Sequence, residues 1–567
     1  MNPLFDSARM TQQLAQGELP DRPTLDASWR CPDEFHRALL EEASRCFGTS
    51  KSRYGECYDF YHDLISRHLN EPADALCYLD RHSRLHKLSY TALDALATRL
   101  CASLHVQGVV AGDTVAIVQP VGPFYAAALL ACLRIGAAVS CIEPRGRSFV
   151  RDRLARFEPQ HILADAQHAW YVAPATPLDT SALSELSVPD RGSHSYAAAD
   201  PVLRTLSALQ EEPTEPSELD ANTCYLGLAR DSVLVWPIRR GERVAAPSFD
   251  AEQYQPYLLL ATWFAGGCFA VCEQADLAAD TGLLDRIDPH LLGVQAATLE
   301  RVLSAAPPLR LSALRRWFCS PLAELALAQL ERFQASRAHT AAASFCVVTS
   351  AAHGGALLCS AKAARLTLPR LTPIPGLSWQ LTAANLTGMP AVFDTGLLAV
   401  GASNADAATS GNLLLSGFEG AYVLAGAVTP LRHGRAYPTR LVAEVIETHP
   451  AVDHAAVFAT RDPAGLHAGL AIALIFVNPA DPKAVRMRSA VWLKQIEELV
   501  ARELGHELVP DRLRIYPLAP ALVDNKADVR FCQTQYLDGI LDAKATTRSF
   551  NALAALRRLF ATVPPAP

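Results

Sequence analysis

The sequence predicts an α/β fold: a large N-terminal domain of layered parallel sheets, followed by a small α+β C-terminal domain. Three observations carry this. Short β-branched strands alternate with apolar-faced helices from residue 91 to 165, the pattern of right-handed βαβ crossovers around a buried parallel sheet. Between residues 439 and 520 the rhythm changes to helix, strand, strand, helix, strand, enough chain for a compact second unit. Half of the 567 residues are apolar and 19% are charged, so a sizeable core can be buried.

The elements follow in order. TALDALATRLCASLHVQG (91–108) sets Leu93, Leu96, Leu100 and Leu104 on one helical face and stops at Gly108. TVAIVQP (114–120) is a strand, GPFYAAALLACLRIG (122–136) a helix closed by glycine, and AAVSCIEP (137–144) a strand. SFVRDRLARFEP (148–159) aligns Val150, Leu154 and Phe157 as a helix, and HILAD (161–165) is the next strand. Residues 1 to about 50 read as irregular, and 176–218, rich in Ser, Pro and acids, as a long surface connection. LAELALAQLERF (322–333) reads as a helix and ADAATSGN (405–412) as a polar loop. The small unit comprises helix 439–450, strands 453–462 and 468–479, helix 491–505 and strand 512–520. The expected divisions are 1–50 as an extension, 51–427 as the large domain, 428–535 as the small domain and 536–567 as a tail helix with a Pro-rich end.

The net charge of −7, with no block of Lys or Arg, excludes an electrostatic footprint for nucleic acid. The first residues carry neither a basic nor an apolar segment of a secretory signal, and the longest apolar stretch, Val121 to Cys141, contains Arg134. No membrane span is expected. The 14 cysteines show no paired CxxC framework, which fits reduced thiols in a cytoplasmic protein. Cys268 and Cys272 lie in an apolar strand without a neighbouring His and read as core.

The order of several short strings resembles the adenylate-forming superfamily of acyl- and aryl-CoA synthetases, luciferases and adenylation domains. LSYTALDALATRLCASL is similar to its opening L-T-Y-x-E-L helix, and GVVAGDTVAIVQP to its G-V-x-x-G-D-x-V-A-I strand. FAGGCFAV (264–271) resembles its L-x-A-G-A strand, and Pro375-Gly376 its P-x-P-G turn. YPTRLVAEVIETHPAVDHAAVFATRD (437–462) resembles the entry to its small domain. The likeness runs over roughly 55–535. It implies an acyl or aryl carboxylate as substrate, with ATP giving an acyl-adenylate and CoA or phosphopantetheine, free or on an acyl carrier protein, accepting the acyl group. Catalysis of that kind rests on positioning and charge neutralisation.

Carried over position by position, the resemblance implies a remodelled nucleotide site. The phosphate loop T/S-S-G-T/S-T-G-x-P-K-G would follow a strand seen in ELDANTCY, starting at Tyr225, but here reads Leu226, Gly227, Leu228, Ala229, Arg230, Asp231. One glycine remains, no hydroxyl precedes Ser232, and β-carbons hinder backbone approach to phosphate. The stretch CYLGLARDSVLVWP (224–237) by itself reads as a plain strand and turn, with Arg230, Arg239 and Arg240 available as cations in a remodelled site. The Y-G-x-T-E string corresponds to CVVTS (346–350), keeping Thr349 but placing Ser350 where the magnesium glutamate would stand. A neutral hydroxyl is a poor sole ligand for a hard divalent cation, so the magnesium site is expected to be lost. The ribose aspartate of T-G-D-L corresponds to Asn412, and neither the hinge acid nor the arginine of the family appears in 426–429, GAVT. PALVDNK (520–526) keeps Pro520 and Lys526 at the spacing of P-x-x-x-x-G-K, with Asn525 at the glycine. Lys526 thereby matches the lysine that assists adenylation and is the best-retained catalytic position.

AHGGALL (352–358) is similar to the His-Gly-Gly oxyanion loop of esterases, but without a G-x-S-x-G elbow it reads as a turn. No Walker A loop, G-x-G-x-x-G or HExxH is found. The functional expectation is an acyl-CoA synthetase-like ligase whose adenylation is impaired or remodelled. The alternatives are a catalytically inactive relative that binds a carrier protein or partner subunit, and ATP-independent acyl transfer from a preformed thioester.

Overall fold

The fold is given by a computed structural model. It describes residues 31–70, 72–175, 192–206, 215–247, 254–305, 308–320, 342–360, 370–376, 379–383, 395–400, 413–418, 421–427, 431–432, 435–461, 468–477, 489–523 and 525–542, with a few isolated positions beside them.

The chain opens its described part with helix α1 (Pro32–Phe47), where the sequence reads as irregular. Proline at the start and Asp33 and Glu34 in the first turn favour the helix there, and Phe35, Leu39, Ala43 and Phe47, spaced by four, bury one face. A short helix, α2 (Phe60–Leu64), is capped by Asp59, whose side chain accepts from the His62 amide. Strands β1 (Asp74–Leu79) and β2 (Leu85–Ser89) form a hairpin.

The expected alternation follows: α3 (Tyr90–Val106), β3 (Thr114–Val118), α4 (Pro123–Ile135), β4 (Ala138–Ile142), α5 (Arg147–Phe157) and β5 (His161–Leu163). Helix α4 is buried nearly all round, which its uninterrupted apolar run requires. The stretch read as a surface connection contributes two more strands, β6 (Pro201–Thr205) and β7 (Ser217–Asp220). The sheet order is β5-β3-β4-β6-β7, parallel except for β6–β7. Composition hid β6 and β7 because both are short: VLRT is enough to add β6 to β4, and β7, at the sheet edge, needs only one bonded side.

After β7 come helix α6 (Ala221–Arg230), β8 (Arg243–Ala245), α7 (Gln255–Phe264), β9 (Cys268–Ala270), β10 (Leu291–Gly293), β11 (Arg316–Cys319), β12 (Ala343–Ser350), β13 (Gly355–Ser360) and β14 (Leu371–Pro373). Four further strands, β15 (Trp379–Ala383), β16 (Thr395–Val400), β17 (Leu413–Phe418) and β18 (Ala421–Ala427), complete a large sheet. Its order is β15-β16-β17-β18-β14-β13-β12-β11-β10-β8-β9-β1-β2. The centre, β12 through β1, is parallel, and both arms are antiparallel. One apolar core lies between the two sheets, where α4, α6 and α7 are sandwiched. Cys268 and Cys272 are buried in a second core on the large sheet's other face, as the apolar run implies.

The small unit has the expected order: α8 (Thr439–Glu447), β19 (His454–Arg461), β20 (Ala468–Phe476), α9 (Ser489–Leu504) and β21 (Arg512–Tyr516). Its sheet runs β19-β20-β21. A two-residue hairpin, β22 (Leu522–Val523) with β23 (Lys526–Ala527), precedes α10 (Val529–Leu537). The expected helix at 322–333, apart from isolated positions, the loop at 405–412 and the tail beyond 542 lie outside the described residues.

Candidate functional site

The stretch 224–237 is not a strand and turn. Strand β7 ends at Asp220, and Ala221 begins α6, which continues as a π-helical turn over Asp231–Val235. Two local causes favour the helix. Asp220 caps it, accepting from the Thr223 amide at 2.7 Å and from the Thr223 hydroxyl at 3.0 Å. Residues Cys224 to Arg230 are all buried, and a helix satisfies its own backbone groups where no water reaches them.

Tyr225 points toward α2. Its hydroxyl donates to Asp63 Oδ2 at 2.7 Å and lies 2.9 Å from Ser50 Oγ. Asp63, fully buried, also accepts from Ser50 Oγ and Ser52 Oγ, each at 2.6 Å, and lies 2.8 Å from His62 Nδ1. Burial alone would raise the Asp63 carboxyl, but the bonds from His62, Ser50 and Ser52 and the nearby Arg67 hold it down at about 2. Tyr225 is thus committed to a structural cluster.

Gly227 faces the opposite way, onto the start of β13. A β-carbon there would collide with the Gly354 carbonyl oxygen and with the Tyr257 hydroxyl, which itself donates to Gly354 O at 2.8 Å. The glycine therefore serves close helix-to-strand approach. One turn on, Arg230 Nε donates to Asp231 Oδ1 at 2.7 Å, and Nη2 donates to the carbonyls of Gly354 and Ala356, each at 3.1 Å. Asp231 Oδ2 accepts the Ala356 amide at 2.8 Å. Both side chains are buried. Arg230, offered above as a cation for a remodelled site, directs its donors at backbone carbonyls and a buried carboxylate. Arg240 is turned to another carbonyl, Phe47 O, at 2.6 Å.

Thr349 and Ser350 close β12. Ser350 Oγ lies 2.8 Å from His353 Nδ1 across a 3-10 turn (Ala351–His353), and Gly354 leaves that turn at φ 74°. The AHGG string is the expected turn. Gly227, Arg230 and Ser350 are therefore brought together around the 350–356 turn, whereas Tyr225 faces away from it.

Lys526 lies in the small unit. Asn525 adopts φ 62°, the left-handed geometry expected of it, and Lys526 Nζ reaches Glu444 Oε1 at 3.3 Å with most of its side chain exposed. Burial would raise Glu444, but Arg440 and Lys526 outweigh it and lower it. Among the described residues no hydrogen bond joins Lys526 to the 350–356 turn. Asn412 lies outside the described residues, as do 428 and 429.

Sequence reasoning missed Tyr257 and Asp63 and read Asp231 only as a loop residue. Arg230-Asp231, opposite charges side by side in an apolar run, is the readable signal of a buried pair. Asp63 carries no such signal. Among the described residues, no group of three His, Cys, Asp or Glu side chains could hold a metal ion, and no helix is long and apolar enough to cross a membrane.

Two layered sheets with a βαβ-built first half, an antiparallel arm and a small αββαβ unit are an architecture with known counterparts. The structure superposes on acetoacetyl-CoA synthetase from Streptomyces lividans with a TM-score of 0.60, at 17% identity, over 92% of each chain. A product-analogue complex of o-succinylbenzoate CoA synthetase from Bacillus subtilis gives 0.61 at 13% identity, over 83% of this chain and 97% of that one. Residues 65–237 match the AMP-binding enzyme family. The chain shares the fold of these CoA synthetases.

Sequence relatives add local likeness. Acetyl-coenzyme A synthetase from Magnetococcus marinus is 37% identical over 84 residues, 14% of this chain and 13% of that protein. The same enzyme from Shewanella putrefaciens is 38% identical over 83 residues, with the same coverage. These alignments span only about an eighth of the curated relatives and mark the chain as acyl-CoA synthetase-like. Within this fold, α6 occupies the segment that the resemblance assigns to the phosphate loop.

Proposed function

We propose that this chain is an adenylate-forming relative that binds an acyl or aryl carboxylate, or its CoA or carrier-protein thioester, in the cytoplasm, with ATP-driven adenylation impaired or remodelled. One observation supports the reading: α6, in the segment that the resemblance assigns to the phosphate loop, is a buried helix seated directly on Gly354. Its first amides donate to the carbonyls of Asp200 and Ala198 and to the Asp220 cap, and the later ones are spent within the helix. Thr349 and Ser350 supply neutral hydroxyls where a cation would need a carboxylate, and Asn412 supplies an amide for the ribose. On this reading magnesium has no carboxylate ligand, and Lys526 is a remnant of the adenylation machinery.

The test is thermal unfolding with and without ligand, beside carboxylate-dependent pyrophosphate release. A ligand that binds only the folded state at 100 times its Kd stabilises by ~2.7 kcal/mol. ATP and AMP should leave the melting temperature unchanged while an acyl thioester raises it. Pyrophosphate release that Lys526→Ala abolishes would refute the reading.

One contact favours a second reading, ATP-independent acyl transfer from a preformed thioester. Ser350 Oγ stands 2.8 Å from His353 Nδ1, a hydroxyl beside a base. Loss of thioester turnover in Ser350→Ala, with thioester binding retained, would support it.

A further inference from the structure

The small unit meets the large domain along α5, and the contact is built of three kinds of interaction. Phe149, on the first turn of α5, is 1% exposed and belongs to the small unit's own hydrophobic cluster with Tyr437, Trp492, Val500 and Leu504. Just before it, Gly146 is so close to the end of α9 that a β-carbon would collide with the backbone of Glu503, with Arg502 O 2.6 Å away. Polar contacts flank the pair: Ser148 Oγ donates to Glu503 Oε2 at 2.8 Å, and Arg145 reaches Glu143 at 2.6 Å and Glu507 at 2.9 Å. The Arg145 guanidinium also lies 5.3 Å from the Phe149 ring centroid.

A phenylalanine of one domain completing the core of another is unlike an ordinary wet interdomain surface. We infer that α5 is the seat of the small unit, with Phe149 as its anchor and Gly146 as the gap that admits α9. In the seated state Lys526 stays at the surface on Glu444. Any reorientation must withdraw Phe149 into water and separate Ser148 from Glu503 and Arg145 from Glu507, so the seated arrangement is the resting one.

Hydrogen exchange and small-angle scattering of the full chain test this. Gly146→Leu places a side chain where the α9 backbone lies, and Ser148→Asp sets a carboxylate against Glu503. Each should speed exchange about tenfold in 145–157 and in 489–508 and should enlarge the radius of gyration. Exchange of β3, β4 and β20 should be unchanged. Wild-type exchange and scattering in both variants would overturn the inference, as would faster exchange of β20 equal to that of α9, which reports unfolding of the small unit rather than undocking. Should Gly146→Leu lose protection of β3 and β4, Ser148→Asp decides.

Discussion

Gly227 packs its α-carbon against the carbonyl oxygen of Gly354, so that the helix replacing a loop and the turn opposite it share one surface. The contact joins the two segments that the family resemblance assigns to phosphate and magnesium.

Gly227→Ala is expected to be destabilising although alanine is the better helix former. The added methyl meets the Gly354 backbone and the Tyr257 hydroxyl, and overpacking of this kind costs ~1–3 kcal/mol. The midpoint of urea unfolding should fall. A stabilised or unchanged variant would show that α6 and the turn are not in contact.

Arg230→Met should be more damaging. It leaves Asp231 buried without its partner and removes donors from Gly354 and Ala356; breaking a buried pair costs ~3–5 kcal/mol. Adding Asp231→Asn should recover part of the loss, a coupling that a double-mutant cycle reads directly. Full stability in Arg230→Met would return that arginine to solvent or ligand.

Acid unfolding should have two limbs. Burial, then the nearby arginines, depress His68 from 6.5 to about 3 and His36 from 6.5 to about 4. The unfolded chain binds these protons first, so this stability is present above pH 6.5 and is lost as pH falls toward 3 to 4. Asp63, depressed from 3.8 to about 2, contributes above pH 3.8 and fades as pH falls through 2, a term of about 2 kcal/mol. His68→Gln should flatten the upper limb, and Asp63→Asn the lower, in unfolding free energies measured against pH.

Lys526→Ala should leave stability within ~1 kcal/mol, because exposed pairs such as Lys526–Glu444 contribute little. Its melting temperature and its pyrophosphate release are therefore independent readouts, and only the second bears on adenylation.

Much of the fold was legible. The helices 91–106 and 123–135, their strands, and the small unit's order are written in apolar periodicity, which depends on neighbours a few residues away. Helix α1 was also legible in its four-residue spacing but was masked by nearby prolines. The stretch 224–237 was not. Apolar on every side, it shows no period, and a buried helix and a buried strand look alike in that circumstance.

By itself, then, the sequence determined the layered α/β architecture, the turn at Asn525, and the absence of hydroxyls and paired glycines between Leu226 and Asp231. Only the tertiary structure decided what took their place. Whether Arg230 faces phosphate or the Gly354 carbonyl, whether Gly227 serves a ligand or Gly354, and whether Phe149 packs on its own sheet or in the small unit's core depend on residues more than a hundred positions away. Local propensity holds no record of such partners, because burial and hydrogen-bond satisfaction are settled only when the sheets close around α6.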